Sequence, residues 1–324
     1  MQQPIVLWFR RLALAGTSLA FCVVVLGAWV RLTDAGLGCP DWPGCYGHVF
    51  PTGSTHHFAQ AVHEMVHRYF ASSLGLIIAA LLVLAIVNRR NRDQPVVPAA
   101  VLFAVVCVQG LLGMKTVTLL LEPLIVTAHL LGGLTTLAIL RWLSLAQERR
   151  RLTEAERALR PFAVLGFAVL ALQIFLGGWT STNYAAVACP DLPTCQRSFW
   201  PDMDFKDAFV LWRGLGVDYE GGVLANPARV AIHVTHRLGA IVAGLTLVSL
   251  GATVAIRAQG RRLKIIGAVL ILAVLAQISL GVSSVHWGVP LSVATMHNAG
   301  AAILVLVMVT LLRALWPATV RPAC

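Results

Sequence analysis

Charge is what this chain has least of. Asp, Glu, Lys and Arg make up 12% of 324 residues, hydrophobic residues make up 58%, and the mean hydropathy is +0.78. Those values exclude an ordinary soluble domain and indicate a polytopic membrane protein. Acidic residues are scarcest, 14 against 25 Lys and Arg, which leaves a net charge of +11. The basic residues are divided among short loops and form no patch with interleaved aromatics, so no nucleic-acid partner is expected. Among seven cysteines there is no CxxC of a zinc or thioredoxin site and no CxxCH of covalent haem attachment. An Arg-rich, Ser-rich transit segment is also missing. The apolar run after Arg10 and Arg11 is too long for a signal-peptide core and lacks a convincing cleavage site. It is expected to be a retained first span, with a twin-arginine export signal as the weaker alternative.

Long apolar runs, by contrast, are plentiful. A spanning helix needs about 20 mostly apolar residues, and eight segments qualify: 12–31, 62–88, 98–118, 121–145, 160–180, 229–256, 263–284 and 290–315. The expected fold is an all-α integral membrane protein, and eight spans put both termini on one side. With the ends inside, 17 of the 25 basic residues fall in inner segments, but only Asp93, Glu148, Glu154 and Glu156 of the 14 acidic ones do. Cytoplasmic loops retain positive charge, so both termini are expected in the cytoplasm of a bacterium, with the protein in its inner membrane. Cys39 and Cys45 then share one external loop, and Cys189 and Cys195 another. Paired cysteines on that side read as disulfides, Cys39–Cys45 and Cys189–Cys195. A redox-active role for one pair is the alternative to a structural one. Cys22, Cys107 and Cys324 are isolated.

An internal repeat organises the chain. Leu26-Gly27-Ala28-Trp29 answers Leu176-Gly177-Gly178-Trp179, and Cys39-Pro40-Asp41-Trp42-Pro43-Gly44-Cys45 answers Cys189-Pro190-Asp191-Leu192-Pro193-Thr194-Cys195. His67-Arg68 answers His236-Arg237, Gln109 to Gly113 answers Gln277 to Gly281, and His129 answers His297. Two repeated four-helix bundles are expected, residues 1–150 and 151–324. The offset is 150 at the cysteines but 168 or 169 at the histidines. The second copy therefore carries additional residues in 199–227, a polar and aromatic stretch that reads as an external cap. Four spans per copy is an even number, so both copies keep one membrane orientation.

Four histidines within apolar helices need a reason to be there, because an ionisable residue at membrane depth is costly. His67, His129, His236 and His297 lie about five to eight residues inside the external ends of spans two, four, six and eight, hence roughly 8–12 Å deep at 1.5 Å per residue. A lone intramembrane His is often a packed core residue, but four in repeat register point to ligation. Haem needs only two axial nitrogens and an apolar slot, and a His on each of two facing helices supplies them. Bare metal binding lacks carboxylates and thiolates at matching depth in both copies. Arg68 and Arg237 are candidate partners for haem propionates, or else snorkel to the interface. Gly110, Gly113, Gly132, Gly133, Gly177, Gly178, Gly281 and Gly300 permit close approach of a porphyrin or of another helix.

The repeat breaks at one telling position. Glu64 stands three residues before His67, where His233 stands three before His236. Residues three apart share a helical face, so Glu64 points toward the same core as its His, and a carboxylate there suits proton transfer. Its alternative role is a structural pair with Arg68.

These motifs together resemble the haem A synthase family, membrane enzymes that convert haem O to haem A for terminal oxidases. The resemblance covers nearly the whole chain: the Cys-Pro-Asp-Trp-Pro loop, Glu64-Met65-Val66-His67-Arg68, Ala128-His129-Leu130, His236-Arg237 and Met296-His297-Asn298. It implies a haem-dependent oxidoreductase with a haem b cofactor between His236 and His297. It further implies that substrate haem O lies near His67 and His129, with Glu64 beside the methyl group that is oxidised to a formyl through an alcohol. A haem O synthase and an electron-transfer protein are the partners it implies. Both cysteine pairs match the disulfide-bearing bacterial branch. The 199–227 segment, His63 and the His56-His57 doublet have no role in the resemblance. The competing function is a non-catalytic dihaem cytochrome b, which leaves the Glu64 asymmetry unused.

Overall fold

The computed structural model describes residues 2–53, 57–91, 94–145 and 152–316. Arg92, Asp93, Glu148, Arg149, Arg150, Arg151, Arg321, Cys324 and His56 lie outside the described residues. Regular structure among the described residues is helical: α1 (Gln2–Leu32), α2 (Phe58–Val87), α3 (Val96–Thr118), α4 (Pro123–Ser144), α5 (Glu154–Ala158), α6 (Arg160–Thr182), α7 (Phe205–Ala208), α8 (Asn226–Arg257), α9 (Arg261–His286) and α10 (Leu291–Leu315). Eight of these are long and apolar enough to cross a membrane, with α5 leading into α6 as part of one span. The chain is thus a multi-pass membrane protein.

Local chemistry sets the helix starts. Proline occupies the first turn of α4, α6 and α8, where its missing N–H has no helical partner to lose. Glu122 caps α4 by accepting from the Ile125 N–H at 2.8 Å. Three starts differ from expectation by three residues or more. Helix α1 begins at Gln2, α2 at Phe58 and α8 at Asn226, not at 12, 62 and 229, because backbone hydrogen bonding continues beyond the apolar stretch that hydropathy detects. His67 is therefore nine residues after the start of α2 and His236 ten after the start of α8, whereas His129 and His297 are six after the starts of α4 and α10. The layer is thicker than expected, spanning about 9–15 Å at 1.5 Å per residue.

Helices α1, α2, α3 and α4 pack in a ring, α1 on α2 and α4, and α3 on the same two; α6, α8, α9 and α10 form a second ring. Contacts of α1 and α4 with α10, and of α4 with α6, join the rings. A continuous core that includes Ile78, Leu81, Leu102, Leu137, Leu140, Leu250, Leu270 and Met308 runs through both. Close approach is needed where α8 meets α9: a Cβ on Gly251 would stand 2.8 Å from the Gly267 carbonyl oxygen.

The additional segment folds back over the ends of the helices. Asp204 caps α7, Arg213 pairs with Asp207 at 2.8 Å, and Trp179 on α6 donates its indole N–H to the Ala208 carbonyl at 2.9 Å. The Tyr219 N–H reaches the Leu120 carbonyl at 3.1 Å in the α3–α4 turn, so a segment of the second half covers the first.

Candidate haem site

Two matched loops lie above the histidines. Each is closed by a disulfide, Cys39–Cys45 and Cys189–Cys195, and all four cysteines are buried. Asp41 accepts from the N–H groups of Tyr46 at 2.6 Å and Gly47 at 2.8 Å; Asp191 accepts from those of Gln196 at 2.7 Å and Arg197 at 3.0 Å, and from the Thr194 hydroxyl. The Gly47 N–H, aided by that of Tyr46, holds the Asp41 carboxyl below the usual carboxylate range, and the Thr194 hydroxyl does so for Asp191. Burial has the opposite effect on Glu122 in the α3–α4 turn, raising its carboxyl.

Each loop is clamped by the arginine next to a histidine. Arg68 donates to the carbonyls of Asp41 at 2.9 Å and Gly44 at 2.7 Å, and Arg237 to those of Asp191 at 2.9 Å, Thr194 at 2.9 Å and Cys189 at 2.7 Å. Both guanidinium groups are thus engaged with loop carbonyls. Arg68 is also paired with Glu64, whose Oε1 lies 2.5 Å from its Nη2. Glu64 is 4% exposed, and its Oε2 accepts from the Cys39 N–H at 2.8 Å. His233, at the equivalent place, is also buried, and its Nδ1 has no hydrogen-bond partner. The charge pair and the loop anchor therefore exist only in the first copy.

Every one of the four histidines rests on a glycine. A Cβ on Gly27 would stand 3.0 Å from the ring of His67, on Gly113 3.3 Å from His129, on Gly177 3.2 Å from His236 and on Gly281 3.2 Å from His297. Gly27 and Gly177 are 150 apart, and Gly113 and Gly281 are 168 apart, the offsets of the repeat. The structure thus shows close helix–imidazole packing at these glycines. Gly110 has no atom near a would-be Cβ, and Gly132 and Gly300 face glutamines.

A cavity of about 500 Å³ opens within the first ring, inside the usual range for small-molecule sites. Glu64, His67, Arg68 and His129 all line it, among mostly apolar neighbours. Gly178, Ser181 and Thr182 from α6 and Asn298 from α10 contribute to its far wall, so the second ring completes the site. The Nδ1 atoms of His67, His129 and His297 are buried without a hydrogen-bond partner. Among the described residues no three His, Cys, Asp or Glu side chains converge as a metal cluster. Paired imidazoles with spare nitrogens, seated in glycine notches beside an apolar cavity, fit a bis-imidazole haem better than a bare ion.

The profile of the COX15-CtaA family, described as cytochrome oxidase assembly protein, matches residues 10–309. The chain belongs to that family. It is 38% identical to a heme A synthase of Shewanella oneidensis over 95% of this chain and 96% of that protein. Heme A synthases of Halalkalibacterium halodurans and Caulobacter vibrioides are each 26% identical, over 89% and 94% of this chain and 91% and 94% of theirs. Haem is therefore the ligand class to which a family member's histidine pairs are relevant.

Sequence reasoning passed over several residues of this family member. Arg31 lines the cavity, donates to the Ser181 carbonyl at 2.8 Å and lies 4.1 Å from the centre of the Tyr184 ring, linking the two rings. The repeat offset of 150 puts Ser181 opposite Arg31, a further difference between copies that was readable. Gln173 and Gln277 contact His236 and His297. Of the unassigned histidines, His63 packs edge-on against Trp29 with centroids 6.2 Å apart, and His57 is the exposed N-cap of α2.

Proposed function

We propose that this protein is a haem A synthase, which oxidises the methyl group of haem O to the formyl group of haem A. The observation that carries the reading is the cavity of about 500 Å³, onto which two histidines and the buried Glu64 converge. Residues 1–150 receive haem O as substrate, with His67 and His129 as its ligands. Residues 151–324 hold haem b between His236 and His297. The asymmetry between Glu64 and His233 supports this division, since only the first copy has a carboxylate on its cavity wall.

Haem b, when bound, supplies one-electron transfer to the neighbouring site. The chain's own residues do the rest. His67 and His129 orient the substrate, and the apolar wall excludes water. Two hydrogen bonds, from Arg68 and the Cys39 N–H, fix the Glu64 carboxylate in place. From there it would take or return a proton as the methyl carbon is oxidised, through an alcohol, to the formyl group. Arg68 and Arg237 are the propionate partners through the donors that the loops leave over.

The protein lies in a bacterial inner membrane with both termini cytoplasmic and the haem sites toward the external face. Arg10, Arg11, Arg89, Arg90, Arg257 and Arg261 at one end of the spans, and both disulfide loops at the other, support that orientation. A haem O synthase delivers the substrate and an electron-transfer protein exchanges electrons with haem b. Co-expression with a haem O source, followed by pigment extraction, should yield haem A or its hydroxylated precursor. Absence of both refutes the reading.

A further inference from the structure

The glycines of the first ring report how tightly each seam between its helices is filled. A Cβ on Gly16 of α1 would stand 3.1 Å from Leu140 of α4 and 3.2 Å from Ile77 of α2. Between α3 and α4, Gly113 faces the His129 ring at 3.3 Å and Gly132 faces Gln109. The α2–α3 seam differs, because Gly75 on α2 and Gly110 on α3 have no atom within 4 Å of a would-be Cβ. Both glycines line the cavity, as do Ser72 and Cys107 beside them. Ser72, Cys107 and Gly110 are at the same time exposed. Ser72 and Cys107 each stand one turn from a leucine that faces outward, Leu76 at 74% exposure and Leu111 at 61%. The cavity therefore opens sideways between α2 and α3.

The second ring has the same seam in a closed form. Offsets of 169 on one helix and 168 on the other put Ile241, Leu275 and Ile278 where Ser72, Cys107 and Gly110 stand, and Gly244 where Gly75 stands. Ile278 bridges that seam, its Cδ1 3.1 Å from a would-be Cβ on Gly244. A groove of about 230 Å³ lies against it, lined by Ile241, Gly244 and Ile278 among others, and neither His236 nor His297 lines it. In the first ring the opening is continuous with the cavity that reaches Glu64, His67 and His129, and the Nδ1 atoms of these two histidines are buried without a hydrogen-bond partner.

We propose that the α2–α3 seam is a lateral portal, through which haem O passes between the lipid hydrocarbon and the substrate cavity. This rests on the functional reading above. Ser72 and Gly75 stand five and eight residues beyond His67, and Gly110 and Cys107 three and six before Gly113. The opening thus lies roughly 5–12 Å farther from the loops than the imidazoles do, at hydrocarbon depth. An apolar porphyrin edge dissolves there, and the four seam residues carry no charge. Other directions are blocked. The disulfide loop that Arg68 clamps covers the external end, Tyr219 ties the additional segment to Leu120, and α1 and α4 face the second ring. A site that admits substrate and gives off product needs a way in and out, whereas a resident cofactor must be kept. Gly110 and Ile278 differ in that sense.

Full-length protein that holds haem b alone is reconstituted in liposomes, and haem O is added to the lipid. Growth of a second bis-imidazole spectrum gives the uptake rate, and extraction gives the final occupancy. No partner protein is present, so uptake reports the bilayer route. Gly110→Ile with Cys107→Leu, the residues of the second ring, should slow uptake at least about tenfold, the change expected where packed aliphatic groups must be displaced. Final haem O occupancy and haem b content should stay as they are. Ile278→Gly should conversely speed the loss of haem b to empty liposomes by about tenfold; this arm does not depend on whether the double variant folds. Unchanged uptake in the double variant, a fall in final occupancy that matches the fall in rate, or no faster loss of haem b from Ile278→Gly overturns the portal while leaving the haem A synthase reading intact. Wild-type protein that takes up no second haem overturns both.

Discussion

Replacing Glu64 with glutamine removes one negative charge at constant volume, so no cavity confuses the result. The side chain is 4% exposed and accepts from Arg68 at 2.5 Å and from the Cys39 N–H at 2.8 Å. A glutamine carbonyl can accept one of these bonds, but its NH₂ then faces the other donor. The loss is one charge-assisted hydrogen bond, about 1.5–3 kcal/mol. Arg68 keeps the Asp41 and Gly44 carbonyls, so the cost should stay below the roughly 3–5 kcal/mol of a fully broken buried ion pair. The first disulfide loop should loosen while the second ring, which holds His236 and His297, stays as it is. If Glu64 moves protons, product should fall at least about 100-fold, the lower end of what a positioned acid or base contributes. Co-expression with a haem O source, extraction of haem O, hydroxylated haem and haem A, and a reduced-minus-oxidised spectrum for haem b measure both quantities in one preparation. Full product formation would refute the proton-transfer role. So would a loss of product that only matches a loss of haem b, because the effect would then be one of folding.

Two further outcomes follow from the same geometry. His297→Ala should deplete haem b even when no haem O is supplied, and Gly281→Ala should do so more weakly. Its Cβ at 3.2 Å displaces the imidazole by only a few tenths of an ångström; unchanged haem b in both variants would remove His297 as a ligand. Asp41 and Asp191 have folded-state carboxyls held below their ordinary value, so the stability they give their loops is complete above the unfolded value, about 3.9. It is lost as pH falls through the lower folded value. Loop docking, followed by tryptophan fluorescence and limited proteolysis, should be flat from about pH 7 to 5 and weaken below about pH 4, with Asp191→Asn already weakened at neutral pH. Weakening on raising the pH instead would reverse the sign and sink the argument.

Periodic features of the fold were legible and contacts with backbone were not. Eight spans, two disulfide loops and four histidines in register announce themselves through run length and a fixed offset, because each depends on residue type at a spacing. The starts of α1, α2 and α8 were misplaced, since hydropathy ends where polar residues begin but helical hydrogen bonds continue. Arg68 and Arg237 were read by charge alone. Their partners are loop carbonyls, which carry no residue signature and lie 24 to 48 positions away. The 199–227 segment could be placed outside the bundle by its polarity, but its bond from Tyr219 to Leu120 in the other half could not.

The differences between copies carry more functional information than the matches, for a physical reason. The matched parts, which are the glycine seats, the disulfide loops and their arginine clamps, do the same mechanical work twice: they hold an imidazole at a set depth beneath a rigid cap. Anything that must happen at only one site has to come from positions where the copies part. Glu64 against His233 places a carboxylate on one wall, and Arg31 against Ser181 adds a cation between the rings. Both differences give the first ring the charged member, and Arg31 and Glu64 line its cavity. If they were neutral drift between repeats, exchanging them singly would leave both sites equivalent. Glu64→His should instead stop product formation while haem b between His236 and His297 is retained.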